Sequence, residues 1–145
     1  MAKTYRLTTG RRAVNRIVRT LNSLGVGSEC DCLLTVPGRV SGISRTTPVT
    51  LVSEGGDRWL VAPYGEVAWV KNARAAGQVT LTRGRRSETV ALSELGPVES
   101  APVLKAYIKN VAVTRPYFDA KPDSSLDAFV AEAARHPVFL LRPAE

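Results

Sequence analysis

The sequence predicts one α+β domain built on a largely antiparallel barrel or meander. Three features carry that expectation. Short apolar or β-branched runs are separated by glycine and proline signals. Two of their junctions are glycine turns short enough to close hairpins. The order helix, three strands, helix, two strands, two helices, strand lacks the regular strand–helix alternation of a doubly wound parallel sheet. A chain of 145 residues fits one such domain, covering residues 1–145.

The elements follow from local pattern. Val14, Ile17, Val18 and Leu21, with Leu24 a turn further on, share one side of a helix over about residues 11–24, while Arg12, Arg16 and Arg19 occupy the rest. Gly25 and Gly27 stop it. Asp31 to Val36, Thr47 to Ser53 and Arg58 to Ala62 read as strands, the last two joined through Gly55-Gly56-Asp57. Glu66 to Ala76 reads as a helix ending at Gly77. Val79 to Thr82 and Ser87 to Leu92 flank the basic turn Arg83-Gly84-Arg85-Arg86 as a second hairpin. Ala101 to Asn110 and Ser125 to Arg135 carry helical patterns, the second with Asp123, Ser124 or Ser125 as its cap. Val138 to Leu141, four apolar residues in a row, reads as a last strand buried on both faces.

Composition narrows the function classes. A hydrophobic share of 44% with 23% charged residues is that of a soluble globular chain, and no apolar run approaches the roughly 20 residues a membrane-spanning helix requires. The net charge of +7 is concentrated at the start, where Lys3, Arg6, Arg11, Arg12, Arg16 and Arg19 all precede the first acid, Glu29. Nucleic-acid binding would rest on that arm and on Arg83, Arg85 and Arg86, and few aromatics interleave those charges for base stacking, so it is disfavoured as a partner. Cys30 and Cys32 sit one residue apart in a predicted strand, a spacing unsuited to a mutual disulfide, and with only His136 they fall short of a zinc ligand set. No metal is expected. Unpaired thiols and the lack of a signal-peptide pattern favour a cytoplasmic location. The basic first helix leaves open a peripheral contact with an anionic surface at the inner membrane face.

No nucleophile elbow, Walker loop, dinucleotide glycine fingerprint or paired metal-binding histidines occur. Two segments remain as candidates. Gly38-Arg39-Val40-Ser41-Gly42-Ile43-Ser44-Arg45 is a turn with two arginines, where glycines allow close backbone approach and guanidiniums offer forked donors to phosphate or carboxylate. A solvated basic hairpin turn would look the same. Ala62-Pro63-Tyr64-Gly65-Glu66-Val67-Ala68-Trp69-Val70-Lys71-Asn72 leaves a strand and enters a helix whose first N–H groups can receive an anionic or carbonyl-bearing ligand. Packing is the favoured role for Trp59 and, more narrowly, for Trp69.

At these two segments the chain resembles the deazaflavin-dependent nitroreductase family of split β-barrel proteins. The first match is Gly38-Arg39-Val40-Ser41-Gly42, then Arg45 and Pro48; the second runs from Trp59-Leu60-Val61 through Ala62-Pro63-Tyr64-Gly65 to Trp69 and Asn72. It extends from about residue 33 to 92, with a looser echo in Arg115-Pro116-Tyr117 and His136-Pro137-Val138. The resemblance implies a split barrel and a reduced 8-hydroxy-5-deazaflavin coenzyme, with flavin mononucleotide as the alternative. It implies that Arg39, Val40, Ser41, Gly42, Arg45 and Pro48 form the turn that receives the acidic tail. By the same resemblance Ala62, Pro63, Tyr64 and Gly65 lie beside the ring system, and Trp69 and Asn72 close that side. Hydride would pass between the coenzyme and an unsaturated, quinone or nitro-bearing acceptor, the cofactor supplying the chemistry and the protein position and electrostatics.

Two positions depart from the family pattern: Val40 stands where relatives often carry lysine, and Pro63-Tyr64 replaces small polar residues near the ring. The tyrosine-rich acceptor wall is thin, leaving Tyr117 to orient or protonate an acceptor. A side branch of the family holds lipid-like ligands, so a non-enzymatic pocket for a fatty acid or related molecule stands as the alternative. A homodimer is compatible with either.

Overall fold

The computed structural model describes residues 31–144. The helix expected over about 11–24, its glycine stop and Cys30 lie outside the described residues. Within them, six strands close into an antiparallel barrel: β1 (Asp31–Pro37), β2 (Ser44–Glu54), β3 (Asp57–Val61), β4 (Gln78–Arg83), β5 (Arg86–Glu94) and β6 (Val138–Pro143). Their order round the wall is β1-β2-β3-β6-β5-β4, with β4 returning to β1 through Leu33 opposite Thr82. Three helices flank it: α1 (Ala68–Ala76), α2 (Pro97–Asn110) and α3 (Leu126–Glu132), with 3₁₀ turns at Ala112–Tyr117 and Ala133–Arg135. The α+β antiparallel barrel predicted from the spacing of runs and turns is the fold found.

Alternation along the strands makes two cores. Leu34, Val36, Leu51, Leu60, Val79, Leu81, Val90, Phe139 and Leu141 point into the barrel, where Trp69, Val70 and Ala73 of α1 plug one end. The intervening residues Val52, Val61 and Val138 point outward and meet Ala101, Leu104, Tyr107 and Ile108 of α2 and Phe129 of α3. Each fully buried Leu, Ile, Val or Phe contributes roughly 1.5–3 kcal/mol. The last strand is buried on both faces as expected, with Val138 and Phe139 each 1% exposed, one in each core, and Leu140 half-buried.

The wall is not equally complete at both ends. Residues 51–54 of β2 pair with β3, but among the described residues, residues 44–50 pair with β1 alone, since β3 ends at Val61. Pro48, which has no N–H to donate, is tolerated on this one-sided stretch. The open edge, the β1–β2 loop, the segment that follows β3, and α1 gather at one end of the barrel, here the cleft end. The β2–β3 and β4–β5 turns lie at the opposite, hairpin end.

Strand ends shift by a residue or two, and four element boundaries differ from expectation for an identifiable local cause. β2 starts at Ser44 rather than Thr47, since Arg45 pairs with Val36. Helix α1 starts at Ala68 rather than Glu66, because Gly65 has φ +87° and Glu66 is turned outward to Arg74. Helix α2 starts four residues before Ala101, with Pro97 in its first turn, where a missing N–H costs nothing. The last helix tightens into a 3₁₀ turn after Glu132, and its N-cap, Ser125, makes no side-chain capping bond. No helix among the described residues is long and apolar enough to cross a membrane.

Candidate functional site

The β1–β2 loop is a closed knot of backbone bonds. Gly38 N–H donates to Ile43 O (2.8 Å) and Gly42 N–H to Gly38 O (2.9 Å), while Ser41 Oγ accepts Ile43 N–H (3.1 Å). A Cβ on Gly38 would stand 2.9 Å from Ser41 Oγ and 3.3 Å from Ile43 O, so a side chain there must displace the Ser41 hydroxyl that holds the loop. Gly42 lies at φ +75° with open space where a Cβ would stand, leaving room for a ligand to approach the backbone.

Arg39 ties this loop to α1. Its backbone N–H (3.1 Å) and its Nη1 (2.8 Å) both donate to Asn72 Oδ1. Asn72 is 5% exposed, and no acceptor among the described residues meets its Nδ2–H groups. A buried amide left without an acceptor costs about 1–3 kcal/mol. The two candidate segments, 33 residues apart, thus meet at one polar contact with donors to spare.

Behind α1's entry, Ala62–Gly65 is fixed from the other side. Ala62 N–H donates to Pro137 O (2.8 Å), and the His136 ring meets Pro63 O through Nδ1 (2.9 Å). Because a carbonyl only accepts, Nδ1 carries the proton. His136 Nε2 faces Glu132 Oε1 (2.9 Å), so a further proton lies between those atoms; Glu132 also accepts Asp119 N–H (3.1 Å) and Ala120 N–H (2.7 Å). Both residues are 3% exposed, and the imidazole stacks on Phe118 at 3.8 Å between centroids. Burial pushes the ring below the usual imidazole range, against the Glu132 and Pro63 bonds, which favour the imidazolium. Removing one partner of such a buried pair costs about 3–5 kcal/mol.

Aromatic rings complete this end. Tyr64 and Tyr117, both half-buried, meet edge to face at 4.8 Å. Tyr107 of α2, 4% exposed, has its phenol pushed up by burial first and by Tyr64 second. Arg74 clamps the entry of α1 to the end of β5: it bonds Glu94 (2.8 and 2.7 Å) and also Glu66, which its guanidinium holds below the usual carboxylate range.

The candidate residues therefore divide. Arg39 and Asn72 are joined, as are Tyr64 and Tyr117. Ala62 and Pro63 are buried and Gly65 half-buried on one backbone segment. Ser41, Gly42 and Arg45 are exposed on or beside the loop, and Pro48 lies further along β2 opposite Leu33. Val40 projects into solvent at 92% exposure. Trp69 lies in the barrel core, 8% exposed and 6.4 Å from the Phe139 ring, the packing role favoured for it from sequence. Sequence reasoning did not single out Tyr107 or Glu132 as neighbours of this end, and placed His136 only in the looser echo of the family pattern. Only the four-residue spacing of Glu132 and His136 signalled their pairing.

Comparison with known proteins decides the family. The sequence model of the F420H(2)-dependent quinone reductases matches residues 6–132. The chain belongs to that family. Solved structures share the fold at low identity. One described as a domain-swapped dimer is 21% identical, with a TM-score of 0.55, over 92% of this chain and 96% of that one. An F420-H2 dependent reductase (FDR-A) is 21% identical, with a TM-score of 0.54, over 79% and 95%. A FAD-binding protein from Mesorhizobium loti is 10% identical, with a TM-score of 0.51, over 89% of both chains. No curated protein matches. Membership places the chain among deazaflavin-dependent reductases, and the cleft end suits such a coenzyme. It offers cationic donors in Arg39 and Arg45, an unmet buried amide in Asn72, and an open strand edge over residues 44–50. A cleft lined by Leu95, Pro97, Ser100, Pro137 and Val138 encloses about 160 Å³, too little for a tricyclic ring when ligand pockets span roughly 300–1,000 Å³.

Proposed function

We propose that this protein is a deazaflavin-dependent reductase that binds its coenzyme along the open edge at the cleft end and reduces an unsaturated, quinone or nitro-bearing acceptor. The observation that carries the proposal is the Arg39–Asn72 contact, which joins the two family-like segments and leaves Asn72 Nδ2 without an acceptor among the described residues. When bound, the coenzyme supplies the hydride.

The chain's own residues do the rest. Arg39 and Arg45 hold the acidic tail by charge-assisted bonds, and the Ser41 hydroxyl, whose oxygen already accepts Ile43 N–H, keeps its proton to donate. Val40, Gly42 and Pro48 shape that side without charge. Ala62, Pro63, Tyr64 and Gly65 flank the ring through backbone and the Tyr64 face, Asn72 donates from Nδ2, and Trp69 supports α1 from within the barrel. Tyr117, braced by Tyr64, orients the acceptor and stands as the proton donor. The single-domain organisation over 1–145, with a basic amphipathic helix at about 11–24, belongs to the same proposal. So does a homodimer, for which the domain-swapped neighbour is support.

Titration with the reduced deazaflavin coenzyme and with flavin mononucleotide, side by side, tests the reading. Saturable quenching or a spectral shift with the deazaflavin, at an affinity exceeding that for flavin mononucleotide, is expected. Native mass spectrometry showing co-purified lipid, with no coenzyme binding, would replace it with the lipid-pocket alternative.

A further inference from the structure

We propose that His136, oriented by Glu132, is a positioning residue that sets the backbone of Ala62–Gly65 against the coenzyme ring. The inference rests on the reading above, which seats the ring beside that segment. The geometry singles His136 out. Pro63 has no N–H, so its carbonyl is the group by which a neighbour can hold that residue's backbone, and His136 Nδ1–H takes it at 2.9 Å. Two contacts reinforce the same rail. Ala62 N–H bonds Pro137 O at 2.8 Å, and a Cβ on Gly65 would stand 3.1 Å from Arg135 O, so Arg135, His136 and Pro137 run directly under the segment.

The ring is itself held on every side. Glu132 Oε1 faces Nε2, Phe118 stacks on the face at 3.8 Å with a 14° tilt, and Glu132's remaining acceptor sites take the Asp119 and Ala120 N–H groups. An imidazole used only as core filler needs none of this. A shift of the Pro63 carbonyl carries Tyr64 with it, and Tyr64 in turn braces Tyr117. His136 therefore acts on the ring site through one backbone carbonyl and without touching coenzyme.

The test compares Glu132→Gln/His136→Asn with Glu132→Gln/His136→Leu and wild type. Glutamine removes the buried charge in both variants, and asparagine keeps a donor near the Nδ1 position whereas leucine keeps none. Affinity for the reduced deazaflavin coenzyme, read by fluorescence, is expected to stay within about threefold of wild type with asparagine and to fall roughly tenfold or more with leucine. A loss of about 1.4 kcal/mol corresponds to that factor of ten. Amide exchange at Gly65 and Val67 is expected to accelerate with leucine alone, although both variants lower thermal stability. Equal affinities in the two variants would overturn the proposal while leaving the coenzyme reading intact. Failure of the wild type to bind the coenzyme removes both. Should neither variant fold, the wild type still decides. Its one histidine gives a single set of ring N–H resonances, which is expected to be slow to exchange and to shift when coenzyme is added. An unmoved resonance at saturation sinks the assignment.

Discussion

The two ends of the barrel are built from the same materials and use them differently. At the hairpin end, Gly55 and Gly56 turn the chain with nothing within 4 Å of where a Cβ would stand, and polar side chains such as Thr82 and Ser87 meet in the open across the β4–β5 ladder. At the cleft end, a Cβ on Gly38 or Gly65 would stand 2.9 Å from Ser41 Oγ or 3.1 Å from the Arg135 carbonyl. There the polar contacts also involve buried side chains and join residues 33 and 73 positions apart. Gly55, Gly56 and Gly42 serve turns in open space, whereas Gly65 serves the close approach of two backbones and Gly38 a tightly closed loop. Basic residues divide the same way: Arg85 and Arg86 are exposed at a turn, whereas Arg39 is anchored to a buried amide.

The largest expected backbone effect comes from exchanging those glycines for alanine. Gly65→Ala puts a side chain at φ +87°, which costs about 1–2 kcal/mol, and drives it toward the Arg135 carbonyl, a backbone atom that cannot swing aside. A total loss of about 2–4 kcal/mol in urea unfolding is expected. Gly55→Ala, at φ +61° in open space, is expected to lose only about 1–2 kcal/mol. Equal losses at the two positions would erase the distinction between the ends.

A smaller and more selective effect is expected at Asn72. Asn72→Ala removes the acceptor for two Arg39 donors and frees the β1–β2 loop from α1. Stability should fall by about 1–2 kcal/mol, and coenzyme affinity by roughly tenfold, measured by the same fluorescence titration. Replacing Arg85 and Arg86 together by glutamine should leave that affinity unchanged at physiological salt. A comparable loss in both proteins would mean that net charge, and not the built contact, attracts the coenzyme tail.

How far the sequence foretold this asymmetry depends on the range of the interactions. The strands were legible because their short apolar or β-branched runs are bounded by glycine and proline, a local property. The β1–β2 loop was legible because its glycines and arginines are contiguous. Glu132 and His136 were not, since their partner Pro63 is 73 residues from His136 and nothing local to an amphipathic helix distinguishes a buried pair from a solvated one. Tyr107 was masked by its place in the apolar stripe of α2, where it reads as core. The early start of α2 at Pro97 and the strand character of Arg45 were hidden for a related reason. The strand character of Arg45 is set by its pairing with Val36 across the sheet, and the start of α2 at Pro97 by a first-turn proline that local apolar spacing does not reach.

The smallest effect belongs to the hairpin end's own ion pair, Arg58 with Glu88, whose side chains are 33% and 50% exposed. The Arg58 guanidinium holds the Glu88 carboxyl below the usual carboxylate range, chiefly through the hydrogen bond. A carboxylate depressed in the folded state stabilises above its unfolded value of about 4.3 and loses that contribution as pH falls through the folded value. Exposure and salt hold the gain to about 0.2–1 kcal/mol. Urea unfolding of wild type and Glu88→Gln should therefore differ by that amount at pH 7 and converge well below pH 4. The Glu132→Gln loss at the cleft end should exceed it severalfold at pH 7, because there the partners are a buried imidazole and two backbone N–H groups with no water to replace them. If the exposed pair proved the costlier to break, burial would not be what separates one end of this barrel from the other.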